Sequence, residues 1–566
     1  MKPCFYISRV ALYTLFFLGI FNLSYSKTNE FNYDAKSISN YFSGLVSFDD
    51  FDYQTSQIFF KKLDNLENQN KDYSSKFIES LINLQKYKEA HKYSKKIEKK
   101  NLSNFESNLF LGLYEFKEEN YTNAQFYFDK LKPNFENKLV FDILYTSINI
   151  WTNLGQSKNN EAIKLIELLK SRSNNIAMIQ NMFANCYLEK SNTEKEFKNI
   201  ITNKKSNFSR YNFFFANHLA NKNKKNEATQ FINLASKKYP RILLINQFKN
   251  VLNKREDNKN QFNCKNTAHI MGEVFYVLAN AFSSQGNYRL SNFYINLSKF
   301  LNPSFLSYDT LLAENFYALK MNDDAKKIYR KISRIGSVYN WYASKQITVI
   351  MEEEDEKNSL NFLSNVYRNI NPNVYQTYDF ANLLRTKEKY KKSIELYSQI
   401  LLELEEEHEL YSKVLERRGT AYERSDNWEF AEKDLIRSLE IVPDEPYVMN
   451  YLAYSWVEQN KNIDEALTML RKANNLKKHD GYITDSLGWA LYKLKNFSEA
   501  KKYLEMAIIL MPTDPIVNDH FADCLWMNKQ EIQARYYWNN VLKSDSAKKE
   551  LKKKVEKKLL FGLEDT

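Results

Sequence analysis

Small residues recur at one spacing through the C-terminal half of the chain, and this period limits the fold more than any other feature. Steps of 34, 35 and 34 residues separate Gly419, Ala453, Gly488 and Ala522. Steps of 35, 34 and 34 residues separate Ala431, Ala466, Ala500 and Ala534. Two interlocked series that share one period indicate an array of repeats, in which each unit packs on its neighbours.

Each repeat is predicted to be a pair of helices. The two small sites of a unit lie 12 or 13 residues apart, as Gly488 and Ala500 do, and about 13 residues of helix span ~20 Å. Small side chains let the paired helices approach closely, while Leu487 and Leu504 fill the seam between them. Only 11 Gly and 9 Pro occur in 566 residues, which disfavours a fold rich in β-turns. We therefore predict an all-α solenoid of antiparallel helix pairs.

Proline marks the end of the predicted second helix. A proline follows the first-helix site by 24 residues in five units, at Pro240, Pro303, Pro372, Pro443 and Pro512. Proline lacks an amide hydrogen and disfavours helix in the residue before it, so it stops one unit before the next begins. The period extends upstream through Ala279, Ala313, Thr348 and Ala381, and it reappears near the N-terminus at Ser56, Ala90 and Ala124.

The units resemble the tetratricopeptide-repeat (TPR) family. Two segments carry the resemblance most clearly, "RRGTAYERSDNWEFAEKDLIRSLEIVPDEP" and "DSLGWALYKLKNFSEAKKYLEMAIILMPTDP". The series "DSLGWALY…DHFADCLW…ARYYW" is similar to the C-terminal part of exported or envelope-associated bacterial members. The resemblance implies a right-handed superhelix whose first helices line a concave groove that binds an extended peptide or helix of a partner protein. Ile78 and Thr348 depart from the pattern, since a small residue is usual at both places.

These patterns predict five segments. We expect a signal peptide over residues 1–26, N-terminal repeats over 27–133, and degenerate helical repeats over 134–270 with a polar break near 254–267. A C-terminal array follows over 271–545, and residues 546–566 form a capping helix and tail. In this last segment Leu551, Val555 and Leu559 recur every four residues, which is typical of the apolar stripe of a helix.

The N-terminal segment indicates export. Lys2 and Arg9 precede "VALYTLFFLGIFNL", 14 mostly apolar residues, and small residues follow at Ser24 and Ser26. This order is typical of a secretory signal peptide cleaved after Ser26. The apolar run is short for a membrane span, so an uncleaved anchor that contacts the membrane is the alternative. We expect an exported protein of the bacterial periplasm or cell envelope.

Charge and cysteine content do not point to a nucleic-acid or metal partner. The formal charge is +12, but 69 acidic residues are mixed among 81 basic ones, as on an ordinary solvated surface. Beyond the signal peptide, Cys186, Cys264 and Cys524 lie far apart and show no disulfide framework or zinc spacing. Cys524 falls in a helix pattern and is predicted to be a buried thiol. We expect no cofactor, no metal and no nucleic acid, and the sequence does not indicate an oligomeric state.

The predicted binding residues lie one turn apart on the first helices of the last three clear units. These positions are Asn450, Tyr454, Val457, Asp485, Trp489, Tyr492, Asp519, Asp523 and Trp526. Tryptophan and tyrosine are common interface anchors, so such a surface would hold a peptide with apolar and basic side chains. The alternative is that Trp489 and Trp526 pack between neighbouring units. Acidic residues stand where the carboxylate clamp of related chaperone-binding proteins needs Lys, Arg and Asn, which disfavours that activity.

Catalysis has little support in the sequence. The common nucleotide-binding, hydrolase and metalloprotease motifs are absent. His520, with Asp485 and Asp519, would be the acid-base group of an enzyme, but a lone histidine on a packed helix is more often a hydrogen-bonded structural residue. We therefore predict a non-catalytic scaffold that binds other proteins through the groove. The alternatives are a membrane-anchored assembly factor and, with less support, an envelope enzyme or a small-ligand-binding protein.

Overall fold

The computed structural model describes residues 35–563, apart from 64–65, 69, 132–137, 255 and 355–357. Within these ranges the chain forms thirty α-helices, one 3-10 turn at Leu66–Asn68 and an isolated bridge between Asn260 and Phe305. The predicted all-α array of helix pairs is confirmed. The predicted signal peptide lies outside the described residues. Among the described helices, none combines the length and apolar character that crossing a bilayer requires.

The chain divides into two compact units, residues 1–350 and 351–566. The described helices of the N-terminal unit are α1 (Ala35–Asp49), α2 (Tyr53–Phe60), α3 (Lys71–Asn83), α4 (Tyr87–Lys99), α5 (Phe105–Lys117), α6 (Tyr121–Phe128), α7 (Lys138–Gly155), α8 (Asn159–Arg172), α9 (Asn174–Tyr187), α10 (Thr193–Ile201), α11 (Tyr211–Asn221), α12 (Lys225–Lys238), α13 (Leu243–Lys254), α14 (Thr267–Ser284), α15 (Tyr288–Leu301), α16 (Tyr308–Ala318) and α17 (Asn322–Ile332). Helix α18 (Ser337–Glu353) runs across the division, which falls inside the predicted 271–545 array.

The C-terminal unit continues the alternation of first and second helices. Its helices are α19 (Ser359–Arg368), α20 (Val374–Thr386), α21 (Tyr390–Glu403), α22 (Tyr411–Glu423), α23 (Trp428–Ile441), α24 (Pro446–Glu458), α25 (Ile463–Leu476), α26 (Gly481–Lys493), α27 (Phe497–Leu510), α28 (Pro515–Met527), α29 (Glu531–Lys543) and α30 (Lys549–Phe561). From α20 onward each even-numbered helix pairs with the next, and α30 packs on α29.

All eight recurring small residues are buried, and two of them, Gly419 and Gly488, lie where paired helices approach closely. A methyl group added to Gly488 would stand 2.6 Å from Cγ of Leu504 on the partner helix, so only glycine fits the observed packing there. Pro443 and Pro512 lie in the turns that follow α23 and α27. The next helices, α24 and α28, begin at Pro446 and Pro515, where the missing amide hydrogen costs no helical bond.

In the N-terminal unit, first helices of the early repeats pack against helices much later in the chain. Its first helices α3, α5 and α7 pack against the distant helices α14 and α15. The Tyr87 hydroxyl donates to the carbonyl of Asn296 at 2.8 Å, and the Lys117 ammonium donates to the carbonyl of Phe300 at 2.6 Å. The surface that the resemblance assigns to a partner is therefore covered here by the chain itself.

The segment over residues 134–270 contains regular elements. Helices α7 to α13 occupy it, followed by a non-helical stretch from about residue 256 to residue 266. That stretch is tied to the helices, because Cys264 forms a disulfide with Cys186 on α9, with Cα atoms 6.0 Å apart. The prediction of no disulfide is therefore wrong: 78 residues separate the two cysteines, and only the tertiary fold brings them together. Cys524 is a free, buried thiol, as predicted.

Candidate functional site

A groove of about 620 Å³ runs along the first helices of the C-terminal unit. Helices α20, α22 and α24 and the start of α26 supply most of its lining. We call it the C-terminal groove, and its principal lining residues are Tyr378, Arg385, Lys413, Glu416, Arg417, Arg424, Tyr447, Asn450, Tyr451 and Tyr482. Consecutive repeats thus contribute side chains to one continuous surface.

The repeat register explains which residues line this groove. Lys413, Tyr447 and Tyr482 each lie six residues before a recurring small residue. Tyr378, Glu416 and Asn450 lie three residues before one. Residues three or four apart share a helix face, so positions three residues apart in each repeat point to the same side of the array. Each step of three residues also turns about 60° round the helix, so these positions turn progressively away from the buried small residue, which packs against the partner helix.

The C-terminal groove carries both signs of charge. Arg385, Lys413, Arg417 and Arg424 are balanced in part by Glu409, Glu416 and Glu445. Arg417 lies 3.6 Å from a carboxylate oxygen of Glu416. Burial raises the pKa of Glu416, although the neighbouring Arg417 opposes the effect. A ligand in the groove therefore meets basic groups next to partly buried acidic ones.

Two buried polar atoms at the groove have no hydrogen-bond partner within the described part of the chain. They are Nε of Arg385, a donor, and Oδ1 of Asn450, an acceptor. A buried polar group without a partner costs about 1–3 kcal/mol. A bound chain that offers a carbonyl oxygen and an amide hydrogen would satisfy both atoms.

Tyrosines form the rim of the C-terminal groove. The side chains of Tyr447 and Tyr482 are 50% and 62% exposed. The Tyr447 hydroxyl donates to Asp480 at 3.1 Å, and the Tyr451 hydroxyl donates to Glu423 at 2.6 Å. Tyr447 is thus held by a neighbour while half of its side chain remains exposed, which is the usual arrangement of an interface anchor.

Only part of the predicted binding set lies in this groove. Asn450 lines it, and Tyr454 is half-buried on the same helix. Val457 is wholly buried in the hydrophobic core, so its assignment to the groove is wrong. The physical reason is helical spacing, because Val457 lies one turn beyond Ala453 and shares its buried face.

Asp485, Trp489 and Tyr492 pack between α26 and neighbouring first helices. Asp485 accepts a hydrogen bond from, or pairs with, Nδ1 of His520 at 2.9 Å, and both side chains are buried. The Trp489 ring stacks on His520 at 3.9 Å and on Tyr492 at 4.7 Å. Its indole nitrogen donates to Glu458 at 2.6 Å. Trp489 is only 9% exposed, so it packs between neighbouring repeats, as the alternative interpretation expects, and does not face an open groove.

The pKa of His520 is raised because the imidazole is buried beside acidic groups. Burial lowers its pKa, but the carboxylate of Asp485, with help from Asp519 and Asp523, outweighs burial and leaves the pKa above its ordinary value. The imidazole lies beneath the Trp489 ring rather than at an open surface. The geometry therefore gives no support to acid-base catalysis on an external substrate at this pair.

The C-terminal helix covers the predicted binding residues of the last repeat. The Lys558 ammonium on α30 lies 2.8 Å from Asp519 and 2.7 Å from Asp523. Gly562, just after α30, lies against the Trp526 ring. The prediction that Asp519, Asp523 and Trp526 face an open groove is therefore wrong, because the chain's own capping helix occupies that position.

The sequence reasoning missed the basic side of the C-terminal groove. Arg385, Lys413 and Arg417 lie upstream of the last three repeats, where the binding residues were predicted. Part of the signal was present: the predicted residues lie three before, one after and four after a small residue, and the same register around Ala381 reaches Arg385. Lys413 and Arg417 lie six and two residues before Gly419, outside that register. Three residues before the small residue, Glu416 in this groove is acidic, as Asp485 and Asp519 are in the last repeats, and the basic groups of the groove stand at other positions.

Similarity to known proteins agrees with the observed repeats. No family model matches the sequence. A TPR repeat-containing protein of Pseudomonas aeruginosa, PA4667, is 29% identical over 99 residues, which are 18% of this chain and 17% of that protein. The chain therefore matches less than a fifth of this relative's length. The resemblance to TPR proteins is confirmed, and no enzyme family is indicated.

Solved structures with helical repeats also match parts of the chain. A thermophilic TPR protein of Thermus thermophilus, TTC0263, has 14% identity and a TM-score of 0.29, covering 33% of this chain and 100% of its own. MamA of Desulfovibrio magneticus RS-1 has 11% identity and a TM-score of 0.27, covering 31% and 97%. Neither match is close enough to bear on function.

Proposed function

We propose that this protein is a non-catalytic scaffold that binds an extended segment of a partner protein in the C-terminal groove. One observation carries the proposal: a groove of about 620 Å³ is lined by consecutive first helices, and two of its lining residues, Arg385 and Asn450, carry a buried donor and a buried acceptor that lack partners among the described residues. Similarity to a TPR repeat-containing protein supports the same class of function.

The chemistry of the groove indicates the kind of segment that fits. Backbone carbonyl and amide groups of an extended chain would pair with Arg385 and Asn450, as a main-chain ligand does in other peptide grooves. Aromatic or aliphatic side chains would pack on Tyr447 and Tyr482. An acidic side chain would lie near Lys413, which is exposed.

Preorganisation is the mechanism of binding. Gly419, Ala453 and their partners on the second helices are buried, so the spacing of α22 and α24 is set before a ligand arrives. A surface that is already ordered loses less conformational entropy on binding than a flexible one does. The partner segment then bears most of the ordering cost.

A peptide selection tests this function. The full chain is immobilised, peptides are selected from a random displayed library, and the dissociation constant of a synthetic consensus peptide is measured. We expect Lys413→Ala and Asn450→Ala each to weaken binding by about tenfold, which corresponds to ~1.4 kcal/mol. Lys433→Ala is the matched control, since Lys433 is exposed on the second helix α23 and does not line the groove. Equal affinity in all three variants would refute the assignment.

We also propose that the protein is exported and acts in the bacterial cell envelope. The support is the N-terminal order of basic, apolar and small residues. Cell fractionation with mass measurement of the mature N-terminus tests it. A periplasmic chain that begins at Lys27 supports cleavage, a full-length chain in the membrane fraction supports the anchor, and a full-length chain in the cytoplasm contradicts export.

A further inference from the structure

Two cysteines and a histidine from three separate elements meet in the N-terminal unit. Cys186 lies on α9, His218 lies on α11, and Cys264 lies in the non-helical stretch before α14. Nδ1 of His218 is 3.1 Å from Sγ of Cys186. One ligand atom from each of the three residues lies within 4.8 Å of the other two. Cys186 and His218 are buried, at 2% and 8% exposure.

The surrounding contacts hold these side chains in place. The amides of Asn217 and Asn221 donate to the carbonyl of Phe262 at 2.8 and 3.3 Å, which fixes the stretch that carries Cys264. The Phe197 ring stacks on the imidazole of His218 at 5.3 Å. A site whose ligands are held by packing and hydrogen bonds loses little entropy when it binds an ion.

A disulfide alone does not account for the histidine. A covalent bond between Cys186 and Cys264 requires no imidazole, yet His218 directs a ring nitrogen at one of the sulfurs. Two sulfurs and one imidazole nitrogen form a donor set that suits Zn²⁺. In tetrahedral zinc sites the bonds to sulfur and nitrogen are about 2.3 and 2.0 Å, so neighbouring ligand atoms lie ~3.5–3.8 Å apart. The observed cluster is compact enough for this geometry.

A cavity of about 220 Å³ adjoins the cluster. The cavity is large enough for water, which needs roughly 30 Å³ of space. Glu189, Lys222 and Lys265 line the same cavity, and the carboxylate of Glu189 forms an ion pair with each of the two lysines. The fourth position of a tetrahedral ion would therefore open toward solvent rather than toward a fourth buried side chain.

We propose that Cys186, Cys264 and His218 form a Zn²⁺-binding site when the disulfide is reduced. The oxidised form holds the two sulfurs in a covalent bond and cannot supply two thiolate ligands. The site is thus controlled by the redox state of one cysteine pair. It lies in the N-terminal unit, and it does not depend on the function proposed for the C-terminal groove.

Reduction of the disulfide precedes metal binding. A dithiol reductant gives two electrons and two protons to the disulfide, which becomes two thiols, while the reductant becomes a disulfide itself. Each thiol then loses its proton as a bond to zinc forms, so binding of one Zn²⁺ releases two protons. His218 contributes the lone pair of Nδ1 and exchanges no electrons.

Cobalt substitution tests the site in the full chain. The protein is reduced, freed of reductant under anaerobic conditions and titrated with Co²⁺, whose absorption shows thiolate-to-metal charge transfer, followed by displacement with Zn²⁺. We expect the reduced protein and the control variant Cys524→Ser to bind one Co²⁺ with this absorption. Cys186→Ser and Cys264→Ser should lose most of the absorption. His218→Gln should bind at least about tenfold more weakly, since even changes outside the ligand shell cost 10- to 100-fold.

A second measurement uses the unsubstituted chain, so that a variant which fails to fold does not decide the result. The alkylation rates of Cys186 and Cys264 in the reduced protein are compared with and without Zn²⁺. Protection of both cysteines, together with an unchanged rate at Cys524, is the expected result. Absence of charge-transfer absorption in the reduced protein, equal affinity in folded His218→Gln, or alkylation that Zn²⁺ does not slow would each overturn the proposal.

Discussion

Replacing Gly488 by alanine adds one methyl group where helices α26 and α27 are closest. The new carbon would lie 2.6 Å from Cγ, 2.9 Å from Cδ2 and 3.1 Å from the backbone nitrogen of Leu504. Leu504 is wholly buried, so moving its side chain disturbs the close-packed residues around it. Overpacking of this kind costs about 1–3 kcal/mol.

Helix propensity acts in the opposite direction at this site. Alanine stabilises the interior of a helix relative to glycine by about 1 kcal/mol. The two effects together predict that Gly488→Ala lowers the free energy of unfolding of the C-terminal unit by about 1 kcal/mol. At a helical site without close contacts the same substitution would stabilise the protein. The sign of the change therefore reports the close approach of the two helices.

A double-mutant cycle with Leu504→Ala provides the control. Leu504→Ala alone should cost about 2–5 kcal/mol because it leaves a cavity. In that background the methyl group of Ala at position 488 has room, so the substitution should become neutral or stabilising, and the coupling should be about 1–2 kcal/mol. Urea unfolding followed by tryptophan fluorescence measures this, since five of the seven tryptophans lie in residues 351–566. Stabilisation by Gly488→Ala alone, or strict additivity, would refute the reasoning.

Three further predictions concern charges and the disulfide. Lys558→Met leaves the buried carboxylates of Asp519 and Asp523 without their cation, so the free energy of unfolding of the C-terminal unit should fall by about 3–5 kcal/mol. Thermal unfolding measures this change, and a loss under about 1 kcal/mol would contradict the buried pairing. The pKa of His520 is higher in the folded protein than its unfolded value of about 6.5, so the protonated imidazole stabilises the fold. This contribution is complete below the unfolded pKa and disappears as the pH rises through the folded pKa. Unfolding of His520→Gln should lack this pH dependence, and an unchanged slope would refute the pairing with Asp485. Reduction of the Cys186–Cys264 disulfide, which spans 78 residues, should destabilise the N-terminal unit by about 4 kcal/mol and leave the other unit's transition in place; an unmoved transition would contradict the disulfide.

Local structure follows from the sequence because each repeat packs mainly on its neighbours. The recurring glycines mark close approaches of paired helices, as Gly419 and Gly488 show. The turns inside the repeats were harder to recognise. Residues such as Glu388, Lys495 and Lys529 adopt positive φ angles there, whereas sequence rules expect glycine or asparagine at such positions.

Contacts between distant repeats could not be derived from the period. Helix α3 packs against α15, and Tyr87 on the neighbouring helix α4 donates a hydrogen bond to Asn296 on α15. These contacts join residues more than 200 positions apart. The same limit applies to Lys558, whose position over the last repeat depends on how α30 docks. A periodic pattern identifies the face of a helix, but it does not say whether another part of the chain covers that face.

Site-specific photo-crosslinking tests the central claim most directly. A photoreactive phenylalanine analogue replaces Tyr447 or Tyr482 at the rim of the C-terminal groove, and the matched control replaces Tyr536, an equally accessible tyrosine on the second helix α29 that is 63% exposed. The consensus peptide from the selection, carrying a biotin label, is added to each full-length protein, and the labelled adducts are mapped by mass spectrometry. We predict adducts at Tyr447 and Tyr482 that excess unlabelled peptide abolishes, and none at Tyr536. Equal labelling at all three positions, or labelling at Tyr536 alone, would contradict binding in the groove.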